Sequence, residues 1–152
     1  MNILVKNADF SQVSIGKIEM VLTPVSVISH AYMMSTGNIS YLATPLSYCI
    51  VYDITSLENG ATVEVTGRLG YEKTICAFYD NPAPTTDSDF ASQTDANNYM
   101  SVIGTGDTTG CVFSDDATGN AVKTISVPSG AKCLIVNIGI NDVDYCKVKV
   151  VL

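Results

Sequence analysis

Acyl-transfer chemistry in this chain would have to use His30, its single histidine. A serine nucleophile needs an imidazole to take its proton, oriented in turn by a carboxylate. His30 sits in an extended run between Ser29 and Ala31, and the chain contains no Gly-x-Ser-x-Gly elbow. It therefore reads as a strand or interface histidine. Carboxylate pairs of the glycosidase kind could be drawn from the plentiful Asp and Glu, but the chain has no Trp to serve as a sugar platform. The loop Gly104-Thr-Gly-Asp-Thr-Thr-Gly110 lacks the Lys-Ser/Thr ending that lets a glycine-rich loop cradle phosphate. The cysteines Cys49, Cys76, Cys111, Cys133 and Cys146 contain no Cys-x-x-Cys pair, so the zinc and redox spacings are absent. Asp87-Ser-Asp89, Asp115-Asp116 and Asn141-Asp-Val-Asp144 gather oxygen ligands of the sort calcium takes. None has the EF-hand spacing, and aspartates in turns bond their own backbone. We expect no catalytic residue, no cofactor and no metal. Of eight tyrosines, Tyr71, Tyr79 and Tyr99 flank the acidic loops, and Tyr71 and Tyr99 are the candidates for contact with a glycan.

Composition sets the frame in which these residues must be held. A chain of 152 residues with 47% hydrophobic and 15% charged residues can bury a sizeable core and has little charge for a free surface. That balance suggests a surface partly covered by a partner or by copies of the chain. The net charge of −7 is local: seven acids and no Lys or Arg lie between Asp80 and Asn120, and the rest of the chain balances eight acids against eight bases. An acidic segment of this kind repels a phosphate backbone, so nucleic acid is not an expected partner. Four of the five thiols fall in apolar strand-like runs, consistent with folding in a reducing cytoplasm. No secretory signal is visible at the N-terminus, and no apolar run reaches the length of a membrane span.

The elements are short and β-like. Lys17–Thr23 alternates with Ile18, Met20 and Leu22 on one face, and Val25–Met34 continues in extended form beyond Pro24. Tyr48–Ile54, Thr62–Arg68 and Lys73–Asp80 read as strands, with Asn59-Gly60 marking a loop or hairpin turn of positive φ. Asn81–Asn98 interrupts the pattern, and Asp87–Ala96 within it could form one short helical turn. Strands are expected again near 99–103, 111–113, 121–127, 132–140 and 145–152. The run Cys133–Ile140 is apolar on both faces except at Asn137 and Gly139, as in a central strand covered on both sides. Val127-Pro128-Ser129-Gly130 joins it to the preceding run, with Pro128 suited to the second position of a β-turn and Gly130 to the fourth. Lys147 and Lys149 give the last strand a charged outer face, protective if that strand is an edge. The fold class expected is all-β: a two-sheet antiparallel β-sandwich of jelly-roll type with an extended N-terminal segment. Thr44-Pro45 is the one candidate boundary, dividing an attachment and oligomerisation segment at 1–45 from a sandwich at 46–152.

Three stretches carry a family resemblance. Ile75-Cys-Ala-Phe-Tyr-Asp80 resembles the apolar–Phe–Tyr–Asp strand of jelly-roll modules in bacteriophage fibre and other virion proteins. Ile125-Ser-Val-Pro-Ser-Gly-Ala-Lys-Cys-Leu-Ile-Val-Asn137 resembles the hairpin that closes those modules, and Thr62-Val-Glu-Val-Thr-Gly67 the strand after their first loop. Asn7-Ala-Asp-Phe-Ser and Ile15-Gly-Lys17 are similar to N-terminal segments of structural proteins from phages of gut Bacteroidetes. The similarity spans roughly residues 48–140, an architecture that carbohydrate-binding sandwiches share. In the family the Phe-Tyr-Asp strand runs directly into the next strand, whereas here Asn81–Asn98 intervenes, so no binding residue is carried over. The resemblance implies a non-enzymatic virion protein made in the host cytoplasm: a head-fibre, capsid-decoration or tail-fibre component, trimeric and in contact with other virion proteins. Ile28, Tyr32, Met33 and Met34 are the expected interface residues within 1–45. The alternative is a carbohydrate-binding or adhesion module.

Overall fold

A strand turns alternate side chains to opposite faces, so a period-2 apolar pattern becomes a sheet with one buried side. The computed structural model describes residues 8–9, 13–14, 17–34, 37–69, 75–99 and 119–151. Its strands in chain order are β1 (Ala8–Asp9), β2 (Val13–Ser14), β3 (Lys17–Leu22), β4 (Ser26–Ile28), β5 (Ala31–Met33) and β6 (Ile39–Tyr41). There follow β7 (Ser47–Asp53), β8 (Thr62–Leu69), β9 (Ile75–Tyr79), β10 (Gly119–Ser126), β11 (Cys133–Gly139) and β12 (Lys147–Val151). Among the described residues, helical structure is confined to 3-10 turns at Asp87–Phe90 and Val143–Tyr145 and to the one-turn helix α1 (Gln93–Asn97). The strands expected near 100–103 and 111–113 lie outside the described residues, and Tyr99 sits in the turn that follows α1.

The strands form antiparallel sheets. One runs β1-β3-β12-β8-β10, with β2 also on β3; a second runs β4-β7-β11-β9; β5 and β6 make a separate hairpin. From β3 onward, leaving that hairpin aside, successive strands change sheet at every link except β4 to β7, the back-and-forth winding of a sandwich. Met20, Leu22, Val63, Val65, Val148 and Val150 of the first sheet meet Ile50, Tyr52, Cys76, Phe78, Leu134, Val136 and Ile138 of the second. The alternate residues of the second sheet, Cys49, Val51, Ala77, Tyr79, Cys133 and Ile135, face away from that core. Ile28 of β4 shares their face beside Cys49, and the cover is Ala31, Met33 and Ile39 with Phe90 and Ala96 of the helical turns. The chain thus stacks three layers, and β11, buried at all seven positions, lies in the middle of the middle one.

Several expectations are corrected. Of the two readings of Asn59-Gly60 the loop holds, since β7 and β8 lie in different sheets; the Pro128 turn does not close a hairpin, since β10 and β11 do likewise. The second turn is also one residue later than expected. The Ala131 amide bonds to the Pro128 carbonyl at 3.2 Å, which makes Pro128 the first residue and Gly130 the third. Gly130 has φ 82°, as a type II turn requires there. The run Val25–Met34 is broken by a bend at Ser29-His30, so Ile28, Ala31 and Met33 all face the core although unbroken alternation would separate Ile28 from the other two. β12 is an interior strand between β3 and β8. Its Lys149 lies across the outer face 3.1 Å from Glu19 and 3.6 Å from Glu64, pairs exposed enough to add little stability.

The division at residue 45 does not hold for the described residues. β3 pairs with β12 through Met20↔Val150, and β4 with β7 through Val27↔Ile50. Ile28 and Met33, expected at an interface with other chains, are buried in this chain's own second core. Burying an aliphatic side chain is worth roughly 1.5–3 kcal/mol, which holds these residues inside. Tyr32 and Met34 are half-buried.

Candidate functional site

The residues that could do chemistry converge on the third layer. The bend between β4 and β5 presents Ser29 and His30, and the 3-10 turn at Asp87–Phe90 brings Asp87 to them from 58 residues away. Asp87 Oδ1 accepts the Ser29 amide at 2.8 Å, and Oδ2 accepts the Ser29 hydroxyl at 2.5 Å. Partial desolvation pushes the Asp87 carboxyl up. The bonds from Ser29, with the charge and amide of His30, outweigh it and hold the group below its ordinary value. His30 Nδ1 lies 3.2 Å from the Leu42 carbonyl, which makes that nitrogen the donor. Its ring tilts against Tyr41, with centroids 6.1 Å apart.

Serine, histidine and aspartate are therefore neighbours without forming a triad. A triad needs the imidazole between hydroxyl and carboxylate. Here the Ser29 hydroxyl donates directly to Asp87, and the histidine Nδ1 is turned to a backbone carbonyl. The arrangement ties two chain segments together at the corner where β4 leaves the sheet.

Asp89 and Asp95 are engaged locally. Asp89 Oδ2 accepts the amides of Thr85 at 2.9 Å and Thr86 at 3.0 Å, closing the start of the 3-10 turn. Ser92 caps α1: its hydroxyl accepts the Asp95 amide at 3.3 Å and donates to Asp95 Oδ2 at 2.8 Å. Among the described residues no group of three or more His, Cys, Asp or Glu side chains could hold a metal ion. Asp115 and Asp116 lie outside them.

Tyr99, expected as a glycan contact, belongs to an internal aromatic set. Its ring lies 4.8 Å from Phe90 and edge-on to Tyr79 at 6.2 Å, and its hydroxyl donates to the Pro82 carbonyl at 3.5 Å. Desolvation raises the pKa of its phenol, with smaller contributions from Cys133 and Asp89. Tyr71 lies outside the described residues. Burial keeps Cys49 and Cys133 protonated: desolvation pushes Cys49 up to about 12 and Cys133 higher still. It takes Cys146 up to about 11, against the lowering effect of its hydrogen bond with Tyr52.

Asn137 is the residue whose part the sequence reading missed. Its Oδ1 accepts the Met33 amide at 2.9 Å and the Ser47 hydroxyl at 3.0 Å, with the Cys49 thiol at 3.7 Å. One buried amide oxygen thus fastens β5 to the middle of β11. The signal was a lone polar residue inside a run apolar on both faces, where a partner is obligatory. No protein-family model, curated protein or solved structure matches the chain.

Proposed function

We propose that the chain is a non-enzymatic structural component of a virion, of head-fibre, capsid-decoration or tail-fibre type, acting as an assembly and surface-contact module. It works as a homotrimer beside other virion proteins, after synthesis in the host cytoplasm. The resemblance of Ile75–Asp80 and Ile125–Asn137 to phage jelly-roll modules supplies the class. The observation that carries a contact role over chemistry is the Ser29–His30–Asp87 corner, whose hydroxyl and carboxylate bond each other directly. The low charged content, 15%, fits a surface meant to be covered.

Light scattering on the full chain tests the assembly. The expected mass is three times the 16.1 kDa of one chain, and a monomer at tens of micromolar would remove the trimer. A carbohydrate-binding or adhesion module is the alternative. The packing of Tyr99 against Phe90 and Tyr79 weighs against it, and a glycan array with saturable binding lost in Tyr99→Ala would favour it.

A further inference from the structure

The third layer is fastened to the sandwich by a different kind of bond from those that hold the sheets. Strand ladders of seven and eight residue pairs build the sheets, as in β11–β7 and β10–β8. Among the described residues β5 and β6 pair only with each other, and residues 81–99 contribute no strand. What ties this layer down is a set of separate side-chain bonds. Met33 is held by Asn137, the Gly37 carbonyl by the Tyr79 hydroxyl, the Pro84 carbonyl by Ser26, and the Ala31 carbonyl by the Cys49 thiol. Within the layer Asp87 accepts from Ser29, and the Tyr41 amide bonds Gln93 Oε1 at 3.0 Å, coupling its two segments. Parting the layer from the four-stranded sheet breaks the bonds to that sheet and uncovers one apolar face, but no ladder among the described residues has to open.

We propose that residues 29–34, 37–42 and 81–99 form a cover that lifts as one unit from the outer face of the four-stranded sheet while the two sheets stay closed on each other. Local opening of this sort, at free energies below global unfolding, is how proteins divide into cooperative units. Native thiols sit on both sides of the middle layer and report the two events separately. Cys49 and Cys133 lie under the cover, and Cys76 lies between the sheets.

The test is maleimide labelling of the full chain in native buffer, read thiol by thiol by mass spectrometry. Each rate is divided by the rate of the same thiol in the denaturant-unfolded chain. Cys49 and Cys133 should share one protection factor, roughly tenfold or more below that of Cys76. Asp87→Ala, at an exposed position, removes a bond that lifting leaves intact, so it should leave the protection of Cys49 and Cys133 unchanged and lower that of Cys76 by about fivefold. Gln93→Ala, which cuts the other bond inside the layer, should likewise leave those two thiols unchanged. A single protection factor for Cys49, Cys133 and Cys76 would overturn the proposal. So would a fall in the protection of Cys49 or Cys133 in Asp87→Ala or Gln93→Ala, alone or in parallel with Cys76.

Discussion

Replacing Asn137 by leucine keeps the side chain's size and removes the one acceptor shared by β5 and β7. The Met33 amide and the Ser47 hydroxyl, both buried, then lose their partner. A buried donor left unsatisfied costs about 1–3 kcal/mol, with the hydroxyl at the lower end because it can rotate. Asn137→Leu should therefore destabilise the fold by about 2–5 kcal/mol. With a urea slope of about 2 kcal/mol/M, the unfolding midpoint should fall by about 1–2.5 M. Ser47→Ala alone should cost about 1 kcal/mol. The double variant should cost less than the two single changes added, by about 1 kcal/mol, since both remove the same bond. Urea unfolding followed by circular dichroism and tyrosine fluorescence measures all four chains. A leucine variant within about 0.5 kcal/mol of the parent, or strictly additive costs, would refute the role given to this amide.

Deleting residues 1–45 removes β3 and β4 from their sheets and should abolish cooperative melting. A truncated chain that still melts within a few degrees of the parent would restore the domain boundary at Pro45. Gly60 has φ 80° and open space where a Cβ would stand, so Gly60→Ala should cost about 1 kcal/mol through backbone strain alone. Gly60→Asn should recover part of that in thermal denaturation. Burial raises the Cys146 thiol from 9.0 to about 11, so at pH 8 the folded protein holds about a hundredfold less of its thiolate than an unshifted thiol would. Its alkylation rate should climb about tenfold per pH unit up to about pH 11; a rate at pH 8 equal to that of a free thiol contradicts this.

How far these features were legible depends on whether they are local. Val63 and Val65 point inward as their alternation with Thr62, Glu64 and Thr66 requires, and the doubly apolar run at β11 is covered on both sides. The Asn59-Gly60 step takes positive φ for the local reason that favours glycine there. Pairing partners are another matter. A period of two assigns faces and says nothing about which strand lies alongside, so the Pro128 turn read as a hairpin although it carries the chain from one sheet to the other. An apolar residue such as Ile28 or Met33 has the same pattern whether its cover comes from another subunit or from a distant part of its own chain. The Ser29–Asp87 link, across 58 residues, has no sequence signature, and the bend that makes it possible also breaks the alternation expected from Val25 to Met34.

The place of β12 between β3 and β8 has a consequence for biosynthesis. Its register joins Val151 to Glu19 on one side and to Thr62 on the other, so among the described residues it is the strand that links β3 to β8 in the sheet. Until Lys147–Val151 leaves the ribosome, β3 and β8 each carry an unfilled edge, and a nascent chain with two such edges is open to pairing with its neighbours. The first sheet is completed late, by its central strand, and the interval before that is when chaperones would matter most.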